Sequence, residues 1–241
     1  MKNKNLLVSF SGGRTSAFMA KWILESEKYK DYNKVFVFAN TGKEREETLE
    51  FVNECDKRWG LNVVWIEAKA IHIKGVGITF KVVDFESASR NGEPFEDVIK
   101  KTGFFPNQNA PFCSERMKTI PINKYMKTIC KDYYSAIGIR ADESQRVNWE
   151  KAIKKKYIYP LITDFRVNEN YIRDFWGNQC FDLKLKDYEG NCDNCFKKST
   201  RKLMTLALEN PKSFDWWSEM ETKYGDINKK MPDQVFYRNE L

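Results

Sequence analysis

The apolar run Leu6-Leu7-Val8-Ser9-Phe10 passes directly into Ser11-Gly12-Gly13-Arg14-Thr15-Ser16, and an apolar-periodic stretch from Ala17 to Leu24 follows. That order reads as strand, glycine turn, helix. It constrains the fold more than any other segment, because a strand that feeds straight into a helix is the building unit of a parallel α/β sheet. The two glycines remove side chains that would block a close approach to the backbone. The amides that open the helix then point outward, with the positive end of the helix dipole behind them. Ser11, Thr15 and Ser16 add hydroxyl groups and Arg14 adds a charge, so Ser11–Ser16 is a candidate site for a phosphate or pyrophosphate. The loop is not a Walker loop, since it lacks the longer spacing and the Gly-Lys-Ser/Thr ending. A Gly-Gly turn alone also fits a plain strand–helix connection, and the surrounding hydroxyls favour the anion site.

The same alternation continues downstream. Val35 to Asn40 is a continuous apolar run of the kind found in strands buried on both faces, and Thr41-Gly42 ends it. Glu46 to Trp59 carries Leu49, Val52 and Cys55 at helical spacing, and Asn62 to Ile66 reads as a third strand. The expected fold class is α/β: a parallel twisted sheet with helices on both faces, plus a small cysteine-bearing C-terminal region. Ligands of such sheets sit at the carboxyl ends of the strands, where both Ser11–Ser16 and Asn40-Thr41-Gly42 fall. Residues 70–112 read as an irregular, mobile insertion with loop signals at Asn91-Gly92-Glu93-Pro94 and around Pro106 and Pro111. Beyond them, Ile122–Cys130 is helical, Tyr133–Ile139 a strand and Arg140–Arg146 a polar loop. The character changes after Tyr159-Pro160-Leu161, so the expected division is 1–165 for the sheet domain and 166–241 for a helical, cysteine-bearing region. Helices are expected at Asn168–Trp176 and Thr200–Asn210, and a polar tail from Gly225. Trp216-Trp217 reads as part of a helix packed on the domain.

The 241 residues suffice for one sizeable core with an appendage. No apolar stretch approaches the ~20 residues of a membrane span. Met1-Lys2-Asn3-Lys4-Asn5 shows no cleavage site, so the expected location is cytoplasmic. The net charge of +7, with clusters at Lys154-Lys155-Lys156 and Lys197-Lys198, suits a nucleic acid or a phosphorylated small molecule, and suits a solvated basic surface equally well. Six cysteines without a secretion signal point to metal, Fe–S or redox roles rather than disulfides. The single histidine, His72, excludes a metal site with several histidine ligands and reads as a surface or loop residue. Cys192-Asp193-Asn194-Cys195 puts two sulfurs within reach of one metal, and thiolates select Zn or Fe–S. A redox dithiol is the alternative for this pair. Cys180 is the expected further ligand, with Cys130 as its substitute. Cys55 belongs on an apolar helix face.

Four segments carry a resemblance. Ser11–Ser16 resembles the pyrophosphate loop of the PP-loop ATP-pyrophosphatase superfamily. Phe38-Ala39-Asn40-Thr41-Gly42-Lys43-Glu44-Arg45-Glu46-Glu47-Thr48 is similar to the segment after strand two in the phosphoadenosine-phosphosulfate (PAPS) reductase branch. Cys113-Ser114-Glu115-Arg116-Met117-Lys118-Thr119-Ile120-Pro121 resembles that branch's Cys-x-x-x-x-Lys-x-x-Pro segment, and Gly138-Ile139-Arg140-Ala141-Asp142-Glu143-Ser144-Gln145-Arg146 its Gly-x-Arg-x-x-Glu-Ser-x-Arg loop. The chain is identified as a member of the PAPS reductase-like branch, of the type found in phages and mobile elements. The resemblance implies an adenine nucleotide alpha-hydrolase-like fold and ATP or a related adenylyl nucleotide as ligand. It places the phosphates on Ser11, Gly12, Gly13, Arg14, Thr15 and Ser16, and the adenine near Phe38, Asn40, Thr41 and Gly42. Arg140, Arg146 and Lys118 become candidate catalytic residues, and Mg²⁺ is expected on the substrate oxygens. Cys113 becomes a third ligand beside Cys180, Cys192 and Cys195, and the precedent favours a 4Fe-4S cluster over zinc.

The departures matter as much. Thr15 stands where many PP-loop enzymes carry Asp. Met231–Leu241 holds no cysteine, where PAPS reductases have a Glu-Cys-Gly-Leu-His tail, and Cys113 lacks the adjacent Cys of cluster-bearing adenylyl-sulfate reductases. The expected activity is therefore α–β phosphate cleavage that activates an acceptor, with sulfur transfer to a nucleic acid or nucleotide. The alternatives are a PAPS or adenylyl-sulfate reductase, and a non-catalytic nucleotide- or nucleic-acid-binding accessory in DNA modification or phage defence. The resemblance leaves room for a nucleic-acid substrate and for a homodimer, and implies no membrane partner.

Overall fold

The structure, a computed structural model, describes residues 4–107, 111–228 and 234–237. The chain runs β1 (Lys4–Phe10), α1 (Arg14–Glu25), β2 (Tyr32–Asn40), α2 (Glu46–Trp59), β3 (Val64–Ala70), β4 (Ile78–Val83), α3 (Glu93–Thr102), α4 (Ile120–Ile129), β5 (Tyr134–Ala136), α5 (Trp149–Lys155), β6 (Tyr157–Ile158), α6 (Pro160–Thr163), α7 (Glu169–Gly177), α8 (Thr200–Glu209) and α9 (Asp215–Tyr224). The strands form one six-stranded sheet in the order β4-β3-β2-β1-β5-β6. β1 pairs in parallel with β2 on one side and β5 on the other, and β5 pairs in parallel with β6. β1 is therefore central, which is why Leu6, Leu7 and Val8 are buried in succession rather than alternately. β4 follows β3 through a turn closed by Ile71 N–H donating to the Gly77 carbonyl. That connection is too short for a parallel crossover, so β4 is an antiparallel edge. The sheet is mostly parallel, as the strand–helix alternation of the sequence requires.

Two compact units alternate along the chain. The first comprises Met1–Phe38, Glu47–Trp65 and Tyr125–Lys184, the second Ala39–Glu46, Ile66–Lys124 and Leu185–Leu241. In the first, α1 buries Ala17, Phe18, Met19, Ala20 and Ile23, and α2 buries Leu49, Phe51, Val52 and Cys55. Phe18 packs edge-on against Phe175 and Tyr171 of α7. The second has its own apolar centre, including Phe95, Val98, Phe105, Met117, Phe196, Trp217, Met220 and Phe236.

Two expectations change, and α5 is an addition to them. The irregular stretch at 70–112 holds an edge strand and a helix. Asn91-Gly92-Glu93-Pro94 is the start of α3: Gly92 takes a left-handed φ of 83° and Pro94 sits in the first turn, where its missing N–H costs nothing. α5 follows Asn148, whose side chain caps the helix by accepting from Lys151 N–H. The tail expected to be polar carries Phe236, which is fully buried against Phe105 and Trp217. Residues 229–233 and 238–241 of that tail lie outside the described residues.

Candidate functional site

In the first unit the turn from β1 to α1 is held open by its own side chains. Gly12 has φ +81°, and a Cβ there would meet Thr48 Cγ2 at 2.6 Å and Phe38 Cε2 at 3.1 Å. Only glycine satisfies both the backbone angle and the space. Gly13 is the extended N-cap residue and provides no side-chain cap. Its carbonyl accepts from Ala17 N–H, so the amides of Arg14, Thr15 and Ser16 precede the first intrahelical bond. Ser16 Oγ accepts from Ser11 N–H (3.1 Å) and Ser11 Oγ (2.9 Å) and donates to the Gly13 carbonyl (2.9 Å). One hydroxyl thus ties both ends of the loop into a fixed curl. Gly138 lies against this curl: a Cβ there would stand 3.2 Å from Ser16 Cα.

The charges nearby are largely engaged. Arg14 donates from Nε and Nη2 to Asp182 (2.7 and 2.8 Å) and to the Leu183 carbonyl (2.5 Å). Arg140 Nη1 lies 3.5 Å from Thr15 Oγ1, and its guanidinium is ringed by Asp142, Glu143 and Glu169 at 3.0–3.6 Å. Burial works against charge on Asp142, but Arg140 outweighs it and holds the carboxyl below its ordinary range. Arg146 pairs with Glu143 at 2.6 Å. Phe38 is fully buried beneath Gly12, edge-on to Trp65. Cys180 is exposed in this unit and accepts from Arg58 Nη1 at 3.2 Å.

In the second unit a buried polar network is built on Asn40-Thr41-Gly42. Asn40 donates to Glu67 and to the Ser89 carbonyl, both at 2.8 Å, and accepts from Gly42 N–H at 3.0 Å. Ser89 also donates to Glu67 from its N–H and hydroxyl. Thr41 donates from N–H (2.6 Å) and Oγ1 (2.8 Å) to Glu44 Oε2, whose side chain is fully enclosed. Glu44 Oε1 receives Lys118 Nζ at 3.0 Å and Cys192 Sγ at 3.6 Å. The backbone completes the tie: Glu44 bridges Cys192 antiparallel, Arg45 N–H donates to the Asn191 carbonyl, and Asp193 N–H donates to the Lys43 carbonyl. Lys43 Nζ lies 3.6 Å from Asp193 and 4.9 Å above the centre of the Trp216 ring.

Cys113 opens a π-helical turn, Cys113–Thr119, that carries Lys118. Charge on Cys195 disfavours ionisation of Cys113, and charge on Cys195 and Cys113 disfavours ionisation of Cys192. Burial pushes the Cys113 and Cys192 thiols up, and the charge on Lys118 opposes it. Burial also works against the Lys118 ammonium, yet Glu44 and the sulfurs outweigh it and raise its pKa. Among the described residues, no group of three or more His, Cys, Asp or Glu is arranged to hold a metal ion. Cys113, Cys192 and Cys195 are nevertheless the donor type that a soft, all-thiolate centre uses.

The structure therefore brings Cys113, Cys192, Cys195 and Lys118 together with Asn40, Thr41 and Gly42 in one unit. Ser11–Ser16, Phe38, Arg140, Arg146 and Cys180 belong to the other. Sequence reasoning did not single out Glu44, Glu67 or Ser89. Glu44 had a signal, since Thr41-x-x-Glu44 has capping-box spacing. Glu67 and Ser89 had none, because their partners are distant in the chain.

Residues 5–160 match the family model described as the phosphoadenosine phosphosulfate reductase domain. The chain belongs to this family. It is 32% identical over 246 residues to an uncharacterized nin region protein of Escherichia phage lambda, spanning 98% of this chain and 81% of that protein. An uncharacterized protein of Methanocaldococcus jannaschii is 24% identical, over 93% of this chain and 50% of its own length. Among solved structures, the U34-tRNA thiolase of Methanococcus maripaludis with its [4Fe-4S] cluster is 15% identical, with a TM-score of 0.47, covering 100% of this chain and 76% of that one. No helix among the described residues is long and apolar enough to cross a membrane.

Proposed function

We propose that this chain binds ATP or a related adenylyl nucleotide with its phosphates on Ser11–Ser16 and cleaves the α–β phosphate bond to activate an acceptor. The observation that carries this reading is the N-terminus of α1, curled by Ser16, with Gly12 packed on Thr48 and Phe38 and Gly138 packed on Ser16 where no side chain fits. The acceptor oxygen attacks the α-phosphorus, pyrophosphate leaves, and the adenylated carbon is then open to a sulfur nucleophile that displaces AMP. Mg²⁺, held by substrate oxygens and water, would offset the triphosphate charge. Arg140, next to Thr15, stabilises charge on the breaking bond, and Arg146, at the far end of the segment Ala141–Arg146, is the second proposed cation. Lys118, held by Glu44, keeps a fixed positive charge beside the thiols.

Cys113, Cys192 and Cys195 of the second unit would hold a 4Fe-4S cluster or zinc. Such a cluster supplies a soft site for sulfur, or electrons. The favoured acceptor class is a nucleic acid or nucleotide, on the basic charge of the chain.

Gly13→Asp puts a carboxylate where the anion belongs. It should abolish ATP binding by calorimetry and pyrophosphate release, and unchanged affinity in that variant removes the basis of the reading. Sulfite release from PAPS or adenylyl sulfate with thioredoxin should stay near background, because cysteines committed to a metal cannot also act as free nucleophiles. Rapid sulfite turnover that disappears in Cys192→Ser selects the reductase instead.

A further inference from the structure

α5 is the least buried helix of the first unit. Of its residues only Ala152 is buried, in a small cluster with Ile139 and Tyr159. Trp149 is 50% exposed and Ile153 81% exposed, one turn apart on the same side. Lys151 and Lys155 lie one turn apart on the other side of Ala152, and Lys154 projects further out. None of these three lysines has an ion-pair partner among the described residues. Most other cations of this unit are paired: Arg14 with Asp182, Arg140 with Asp142, Arg146 with Glu143 and Lys156 with Asp132. The Trp149 indole is also held in place, edge-on to Tyr159 with ring centres 5.7 Å apart. A half-exposed indole on the same helix as three exposed lysines, with Glu150 the one acidic side chain of α5, offers a ligand a flat face and positive charge on one exposed helix.

We propose that α5 is a docking surface for a single-stranded polynucleotide, with a base stacked on Trp149 and the backbone phosphates on Lys151, Lys154 and Lys155. This inference rests on the nucleic-acid acceptor reading and deepens it. Stacking needs an unpaired base, which excludes a duplex as the ligand, and the lysines supply the sequence-independent attraction. A membrane surface fits less well, because a seven-residue helix offers only Trp149 and Ile153 for insertion. The position is also serviceable. Arg140 adjoins the nucleotide loop at Thr15, and the nine residues from Arg140 to Trp149 cannot separate the two by more than about 30 Å. A strand several nucleotides long held on α5 can therefore reach from there to the loop.

The test is fluorescence anisotropy with a labelled twelve-nucleotide single-stranded RNA and the full chain, without ATP, over a salt series. Trp149→Ala should weaken binding by roughly five- to a hundredfold, with Trp149→Phe recovering most of it. The triple substitution Lys151→Gln, Lys154→Gln, Lys155→Gln leaves the helix packing intact and should flatten the slope of log affinity against log salt by about 2, from about 0.7 per phosphate contact. If the wild-type chain binds the strand and both variants match it in affinity and salt slope, α5 is not the surface. If the wild-type chain does not bind the strand at all, the nucleic-acid acceptor reading falls with it, while pyrophosphate release remains a separate measurement. Tighter binding to the matching duplex, or loss confined to binding of anionic phosphatidylserine vesicles, also overturns the proposal.

Discussion

Gly12→Ala tests whether the phosphate loop has the shape described. The substitution adds one carbon, yet that carbon is committed to a position 2.6 Å from Thr48 Cγ2 and 3.1 Å from Phe38 Cε2, on a backbone with φ +81°. The left-handed backbone alone costs an alanine roughly 1 kcal/mol. Forcing a methyl into a packed site adds about 1–3 kcal/mol, and Phe38 is fully buried and cannot swing away. The expected loss is about 2–4 kcal/mol, read as a shift of the urea midpoint for the transition that reports the first unit. The structure also predicts the rescue. Thr48→Ser keeps the hydroxyl and removes Cγ2, the nearest atom, so it costs about 1 kcal/mol alone but should relieve Gly12→Ala when combined with it. The double variant should be more stable than the sum of the two losses by at least about 1 kcal/mol. A Gly12→Ala chain within about 0.5 kcal/mol of wild type, or strict additivity with Thr48→Ser, means the turn is not packed as described and the argument for an open, glycine-dependent anion site fails.

Glu96 receives Lys223 (2.8 Å), Tyr224 (2.5 Å) and Lys100 (3.1 Å), and these bonds pull its pKa down to about 2. The folded value lies below the unfolded one of about 4.3, so the contribution is present above that pH and is lost as pH falls through 2; allowing for partial exposure, Glu96→Gln should cost roughly 1–2 kcal/mol at pH 7, a small fraction of that at pH 2 and nothing by about pH 1, and a constant penalty across that range contradicts the account. Phe236→Ala should lose about 3–5 kcal/mol, because the ring is fully buried against Phe105 and Trp217; a denaturation midpoint equal to wild type would show that this segment is not docked. Protein purified without oxygen should be brown, with broad absorption near ~400 nm and acid-labile sulfide, both reduced in Cys192→Ser. Colourless protein with stoichiometric zinc makes the centre structural, and colourless protein without metal removes it.

What the sequence made legible was whatever short-range chemistry determines. The β1–α1 turn could be read because its signal is contiguous: five strand residues, two glycines and an amphipathic helix. α2, α7 and α8 followed from periodicity and fell within a residue or two of the expected limits. The losses have equally local causes. α3 was hidden because Gly92 and Pro94 carry the same letters as a loop, and only the φ of 83° followed by a first-turn proline makes them a helix start. Phe236 was hidden because a single aromatic residue in a polar stretch gives no period, and its burial is decided by Trp217 and Phe105, far away in sequence. The candidate site divides in the same way. Its motifs named the loop and the cysteines, but what joins Cys192 to the Thr41-Gly42 turn is Glu44, a carboxylate that receives two groups from Thr41, the Lys118 ammonium and the Cys192 thiol at once. A lone Glu in a charged run reads as solvent-facing. It becomes the hub of a buried network only because residues 41, 118 and 192 converge on it, so the PAPS reductase-like motifs mark the parts of this site while the fold determines which of them act together.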